Sequence, residues 1–370
     1  MNFIGMSQAR RHDIDALRVI AIGLLIIYHI TIVFQPWGSL IPGFFQNQDS
    51  IELLWIFSGL INVWRIPILF VISGMGVAFS IQKRSFKELI LERSLRILLP
   101  LIFGSMIITS LGFDFLLMSK DPDHVIFSRY FVEPGHLWFL GNIFLYSILS
   151  APFLFYLKRN SDSFIARSVK FLTGNMYGLI ALVVLFILEA EIFVESWRFG
   201  NVPFELYAGS LHGFLMGWLC FLSGFIFIFS GNNFWNIVRS YKQNMLACAA
   251  FLYLIRFSSV LGDVMVNPPW LMAVESCMWM FSIFGYSHSC LNQKNKLFSY
   301  LAPAAYPVYI THMLFTNIAC FFVIPMEINA LFKFFLIVLL TFSGCLLSYE
   351  FLISRSKVLR PLFGLKMNTN

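Results

Sequence analysis

The chain has 370 residues, of which 58% are hydrophobic and only 12% charged, about half the charged share of a soluble globular protein. That much polar surface cannot cover a water-soluble molecule of this length, so lipid is the expected solvent for most of the exterior. A net charge of +7 does not point to nucleic acid, because Lys and Arg fall in short clusters between apolar runs, the pattern of a topology signal.

Crossing a hydrocarbon core of about 30 Å takes about 20 helical residues. In chain order, runs of that kind lie near 17–35, 66–82, 97–117, 137–157, 176–194, 207–230, 245–261, 270–289, 303–325 and 331–353. The sequence thus predicts an all-α fold, a polytopic bundle of about ten transmembrane helices. The stretch 51–64 is too short to span and reads as an outer re-entrant or interfacial segment. With ten spans and a cytoplasmic N-terminus, most of the 26 basic residues lie on the inner side. Arg65, Lys120, Arg129, Arg198, Arg256 and Lys333 remain outside, with the acids Asp121, Asp123, Glu133, Glu189, Glu191, Glu195 and Glu205. An eleventh span at 51–64 would reverse every later loop and spoil this bias. Both termini are therefore expected in the cytoplasm. No cleavable leader or internal repeat is read, and residues 1–370 are expected to form one membrane domain with no appended soluble domain. The six cysteines lie in or beside apolar runs without C-x-x-C or metal-type spacing, and read as small packing residues.

Ionisable residues at depth are the informative ones, because each is costly unless it is paired or faces a cavity. Arg18 and His29 are eleven residues apart, within about 20° of three full turns, so both lie on one face of the first helix. His29 falls about 16 Å deeper than Arg18, near the bilayer midplane, and Asp15 lies on the same stripe. The arrangement suits a pathway lining; a single histidine bonded to a neighbouring helix is the plainer alternative. In the second helix, Ser73 and Gly74 suit close helix packing, and Arg65 reads as an outer-end anchor. Arg93 and Arg96 share a helix face, and two guanidiniums suit a phosphate-rich ligand, although positive-inside anchoring explains the same pair. His136 and Trp138 mark the outer end of the fourth helix as interfacial residues. Tyr309 and His312, three apart, share a face inside the ninth. His212 and His288 read as lone structural histidines, and no metal site is read.

Taken in order, Arg18-x10-His29 with Asp15 before it, Phe70-x-x-Ser73-Gly74, Arg93-x-x-Arg96 with Pro100 following, and Tyr309-x-x-His312 resemble acyltransferase family 3, bacterial integral membrane enzymes. The resemblance covers essentially the whole chain. Within the family, Arg65 to Gly74, His136-Leu-Trp138-Phe-Leu, Tyr349-Glu350 and Arg360-Pro-Leu-Phe363-Gly364 resemble the MdoC-like glucan biosynthesis (succinyltransferase) branch. The chain departs from many members in having Leu69-Phe70 where they carry two adjacent aromatics, and no esterase-like extracytoplasmic domain is expected.

The resemblance implies a multi-pass enzyme of the bacterial cytoplasmic (inner) membrane. It would move an acetyl or succinyl group from cytoplasmic acyl-CoA, a co-substrate, to a hydroxyl of a cell-envelope or exported carbohydrate, with no bound cofactor. His29 would be the general base, since imidazole titrates near neutrality, with Arg18 and Asp15 ordering the site. Arg93 and Arg96 would hold CoA phosphates, and Ser73 and Gly74 would leave room for the pantetheine arm. Tyr309, His312, Arg65, His136 and Trp138 would line the site. Direct transfer and passage through an acyl-enzyme both fit these residues. A transporter or flippase for a glycan or small solute is the rival, since it also needs ionisable residues at mid-depth; no inverted repeat of the transporter kind is read. Which acyl group, which carbohydrate and which oligomeric state the residues do not say.

Overall fold

The computed structural model describes residues 10–38, 41, 43–127, 133–194, 204–261 and 267–366; the expectations placed on Arg129, Glu195 and Arg198 lie outside them. Among the described residues, all regular structure is helical. The helices are α1 (His12–Val33), α2 (Leu53–Gln82), α3 (Phe86–Met118), α4 (Gly135–Arg159), α5 (Phe164–Gly174), α6 (Met176–Val194), α7 (Leu211–Phe229), α8 (Asn232–Leu261), α9 (Pro269–Cys290), α10 (Lys296–Val323), α11 (Ala330–Ile353) and α12 (Leu359–Leu362). Eight of these, α1 to α4, α6, α7, α10 and α11, are long and apolar enough to cross a membrane. The protein is a polytopic helical membrane protein.

Two details correct the sequence reading. The expected spans at 245–261 and 270–289 fall in α8 and α9, which have the length, 30 and 22 residues, but are less apolar than the other eight. The separate segment expected at 51–64 is the first half of α2, which runs 30 residues without a break. Pro67 lies inside this helix and has no N–H for the carbonyl four residues back. That carbonyl is Val63 O, and the Tyr207 hydroxyl donates to it at 3.0 Å. The helix therefore continues through its proline with no orphaned acceptor. Arg65 in consequence lies in mid-helix and is buried, not at an outer end.

The chain forms two compact groups. One comprises residues 1–18, 59–91 and 142–298, the other 19–58, 92–141 and 299–370. In the first, α8 and α9 are antiparallel partners: Ser282 Oγ donates to Lys242 O at 3.1 Å, and Arg256 meets Glu275 through two bonds of 2.7 and 2.9 Å. Arg256 also donates to Gly59 O at 2.7 Å, so the fork of this buried guanidinium is shared by three segments. Helices α2 and α7 approach backbone to backbone, since a Cβ on Gly74 would overlap Phe221 O and one on Gly224 would overlap Val71 O. Lys158 closes the end of α2 by donating to Ile81 O and Arg84 O at 2.6 and 3.1 Å.

In the second group α10 is the central element. Asn317 donates to Gly112 O of α3 at 3.0 Å, and Thr341 of α11 meets Thr316. Two stretches of α3, Ser94–Leu98 and Gly104–Thr109, and the end of α11, Tyr349–Ile353, wind as π turns, each of which inserts one residue into regular helix. α12 packs on α3 through Phe363 and Phe103, whose ring centres are 5.5 Å apart, which gives the Arg360 to Gly364 motif a structural task. All six cysteines are free thiols.

Candidate active site

The second group brings four of the expected residues together: His29, His136, Tyr309 and His312. His312 is fully buried on α10. Its Nδ1 lies 2.6 Å from Tyr309 O. A carbonyl only accepts, so the proton of the neutral ring is on Nδ1 and the lone pair is on Nε2. That Nε2 is 2.9 Å from His29 Nδ1, which must then be the donor. The lone pair of His29 is accordingly on Nε2. The two rings lie parallel, 5.2 Å between centres and 8° between planes, and His29 is half-buried. One backbone carbonyl thus sets the tautomers of two histidines in series, the relation that orients a catalytic base.

His136 enters from the start of α4. Gly135 before it has a positive φ of 48°, a conformation that side-chain-bearing residues rarely adopt, and a Cβ there would press on Thr109 at 2.8 Å. This turn directs the imidazole at α10, where His136 Nε2 donates to Ile310 O at 3.1 Å and the Tyr309 hydroxyl donates back to His136 O at 2.6 Å. The His136 ring meets His312 edge-on at 4.7 Å. His136 is therefore tied to the helix that carries His312, a closer role than the interfacial one its position suggested. Trp138, two residues on, is half-buried beside Phe139.

Arg93 and Arg96 flank the start of the first π turn of α3. Glu92 stands between them, one oxygen 3.6 Å from Arg93 Nη2 and the other 3.4 Å from Arg96 Nη1. One acid against two guanidiniums leaves a net positive charge there.

The remaining expected residues belong to the first group. Asp15 accepts from Arg10 at 2.8 Å and lies 3.6 Å from Arg18, on the early turns of the α1 that later carries His29. Ser73 Oγ donates to Leu69 O of its own helix at 2.8 Å. The room for a donor arm expected at Gly74 is filled by the α7 backbone at Phe221, so this glycine serves helix packing. The two histidines read as lone are both partnered. His212 meets Glu189 at 3.1 Å and donates to Phe204 O. His288 lies 3.1 Å from Asp13, which also takes two bonds from Arg11, whose guanidinium covers the Trp235 ring at 3.9 Å. The partners of these two histidines are distant in sequence or in another helix, and no spacing signals them. Among the described residues, no group of three or more His, Cys, Asp or Glu is disposed to hold a metal ion.

A family model described as an acyltransferase domain matches residues 11–350. Comparison with curated proteins and with solved structures returns no match.

Proposed function

The chain belongs to acyltransferase family 3, and from that premise we propose that this membrane acyltransferase moves a short acyl group, acetyl or succinyl, from acyl-CoA to a hydroxyl of an envelope carbohydrate. In this reading both termini face the cytoplasm, the membrane is the bacterial inner one, and the chain is akin to the MdoC-like glucan branch. What carries the proposal is the fixed chain Tyr309 O, His312, His29, which leaves a basic nitrogen on a half-buried imidazole inside a membrane helix.

A sugar hydroxyl is a poor nucleophile at neutral pH and needs a base within about 3 Å. His29 Nε2 takes the hydroxyl proton as the sugar oxygen bonds to the thioester carbonyl carbon. The imidazolium so formed is stabilised by its Nδ1–H bond to His312. The carbon–sulfur bond breaks, and the departing thiolate takes the proton, leaving CoA thiol and neutral His29. In a route through an acyl-enzyme, His29 performs the same proton transfer in the step that consumes the sugar. His136 and Tyr309 hold α4 and α10 together around this pair. Arg93 and Arg96, with one acid between them, hold CoA phosphates, and Arg18 with Asp15 orders the approach along α1. Trp138 serves as lining.

The test is transfer of label from acetyl- or succinyl-CoA to envelope glycan by the purified protein in proteoliposomes. His29→Ala should abolish transfer while the protein stays folded and inserted. Transfer retained by a well-expressed His29→Ala protein removes this residue from the chemistry.

A further inference from the structure

The second group also contains a cavity of about 710 Å³, within the range of small-molecule sites, about 300–1,000 Å³. Three stretches converge on it: residues 44–49 after α1, residues 116–120 at the end of α3, and residues 321–333 where α10 turns into α11. In the orientation proposed above, all three are outer segments, on the side from which an envelope carbohydrate would arrive.

The wall is held in place by the backbone. Asn47 N donates to Val33 O and Ile51 N to Phe34 O, each at 2.9 Å, and the Gln46 amide donates to Gln35 O at 2.8 Å. The Asn47 amide donates to Asp49 O at 2.7 Å, which turns its carbonyl oxygen toward Lys333. The Lys333 ammonium donates to that oxygen at 3.3 Å and to Ile324 O at 2.7 Å. Lys333 is only 8% exposed. Its described partners are an amide and a backbone carbonyl, with no carboxylate among them. An ammonium has three donors, so one N–H remains for an oxygen supplied by a ligand. Burying a cation without a carboxylate is costly, and a ligand acceptor offsets part of that cost.

The charges in the wall decide what kind of ligand fits. Asp49 and Glu327 balance Lys120 and Lys333, so the cavity as a whole favours a neutral polar group over a polyanion. Phe44 adds an aromatic face, and its ring lies edge-on to His29 with 5.7 Å between centres. Phe44 therefore links the cavity wall to the base.

We infer that this cavity is the acceptor subsite, and that it takes a neutral, hydroxyl-rich sugar ring whose hydroxyls are gripped by Lys333 and Asn47 beside Phe44. The assignment rests on the acyl-transfer reading and adds to it a location and a charge preference for the acceptor.

The experiment uses purified protein in proteoliposomes with labelled acetyl-CoA and succinyl-CoA. The acceptor is graded amounts of envelope glycan extracted from cells lacking the gene and divided by anion exchange into neutral and acidic fractions. Lys333→Met removes the donor. Ser119→Trp, at an exposed position on the cavity rim, fills the space without disturbing the buried lysine. Both should raise the half-saturating glycan concentration at least tenfold and leave acyl-CoA affinity within twofold of wild type, with label in the neutral fraction. Wild-type saturation by Ser119→Trp, or label confined to the acidic fraction, overturns the subsite while wild-type transfer still supports the acyltransferase reading. A wild-type protein that transfers no label to either fraction overturns that reading and the subsite with it.

Discussion

Replacing His312 by alanine tests the series Tyr309 O, His312, His29 more sharply than replacing the base itself. The substitution removes the acceptor of the 2.9 Å bond from His29 Nδ1 and leaves Tyr309 O without its 2.6 Å donor. His29 stays, but its tautomer is no longer imposed and the imidazolium formed during transfer loses one stabilising bond. A net hydrogen bond is worth about 0.5–1.5 kcal/mol, and one to a charged group about 1.5–3. Because the bond strengthens as His29 becomes charged, the larger range applies to the transition state. At about 1.4 kcal/mol per tenfold, His312→Ala should lower kcat by about 10- to 100-fold. His29→Ala, which removes a general base, should cost about 10²- to 10⁴-fold. His312→Gln, whose side-chain oxygen accepts from His29 and whose amide donates, should recover part of the loss. The assay is steady-state label transfer to glycan with both substrates varied, so that kcat and each KM separate. His312→Ala should change kcat and leave both KM values within about twofold, as expected when only the transition state loses an interaction. An unchanged kcat would refute the relay. A loss equal to that of His29→Ala, with no recovery by glutamine, would mean that His312 itself acts on the substrate.

Other contacts lead to expectations of their own. Arg93→Ala combined with Arg96→Ala should weaken acyl-CoA binding in detergent by about 10- to 100-fold, the worth of one or two charge-assisted bonds; unchanged affinity would confine those arginines to topology. Gly74→Leu places a side chain against the α7 backbone and should lower the thermal midpoint of the detergent-solubilised protein by several degrees, as overpacking costs about 1–3 kcal/mol; a wild-type midpoint would show that α2 and α7 do not approach this closely. Glu275→Gln leaves the buried Arg256 without its carboxylate, and loss of one partner of a buried pair costs about 3–5 kcal/mol, visible as poor yield of folded protein. Tyr207→Phe strips the donor from Val63 O and should cost about 1–3 kcal/mol without affecting the rate of transfer per folded molecule.

How far the sequence could be read depended on the range of the interaction involved. A membrane helix announces itself by the length of its apolar run, a local property, so the spans at α1, α3, α4, α6, α7, α10 and α11 were legible with their ends blurred. The course of α2 was not, because 51–64 is too short to span by itself, and the group that satisfies Val63 O is the hydroxyl of Tyr207, 144 residues away. His29 and His312 each stood out as ionisable groups at depth, but their pairing across 283 residues leaves no trace in spacing. Lys333 entered the charge count as one more outer cation; its burial comes only from where Asn47 and Ile324 fall in the fold. Small residues were ambiguous for a different reason, since a missing side chain admits a ligand or a helix equally well, and at Gly74 it admits a helix.

The π turns of α3 have a consequence for how this helix can change length. Each holds one residue more than regular winding requires, so the helix carries a spare residue beside Arg96 and another at Gly104–Thr109. Deleting a single residue from Ser94–Leu98 need not break the helix. It lets the turn relax to ordinary pitch with the two flanking parts of α3 still in phase, since five residues of π winding and four of α winding turn through about the same angle, roughly 400°. A shortened chain of this kind should insert and fold with Arg93 aimed as before, whereas the same deletion in the regularly wound part of α3 would turn everything before it by about 100°.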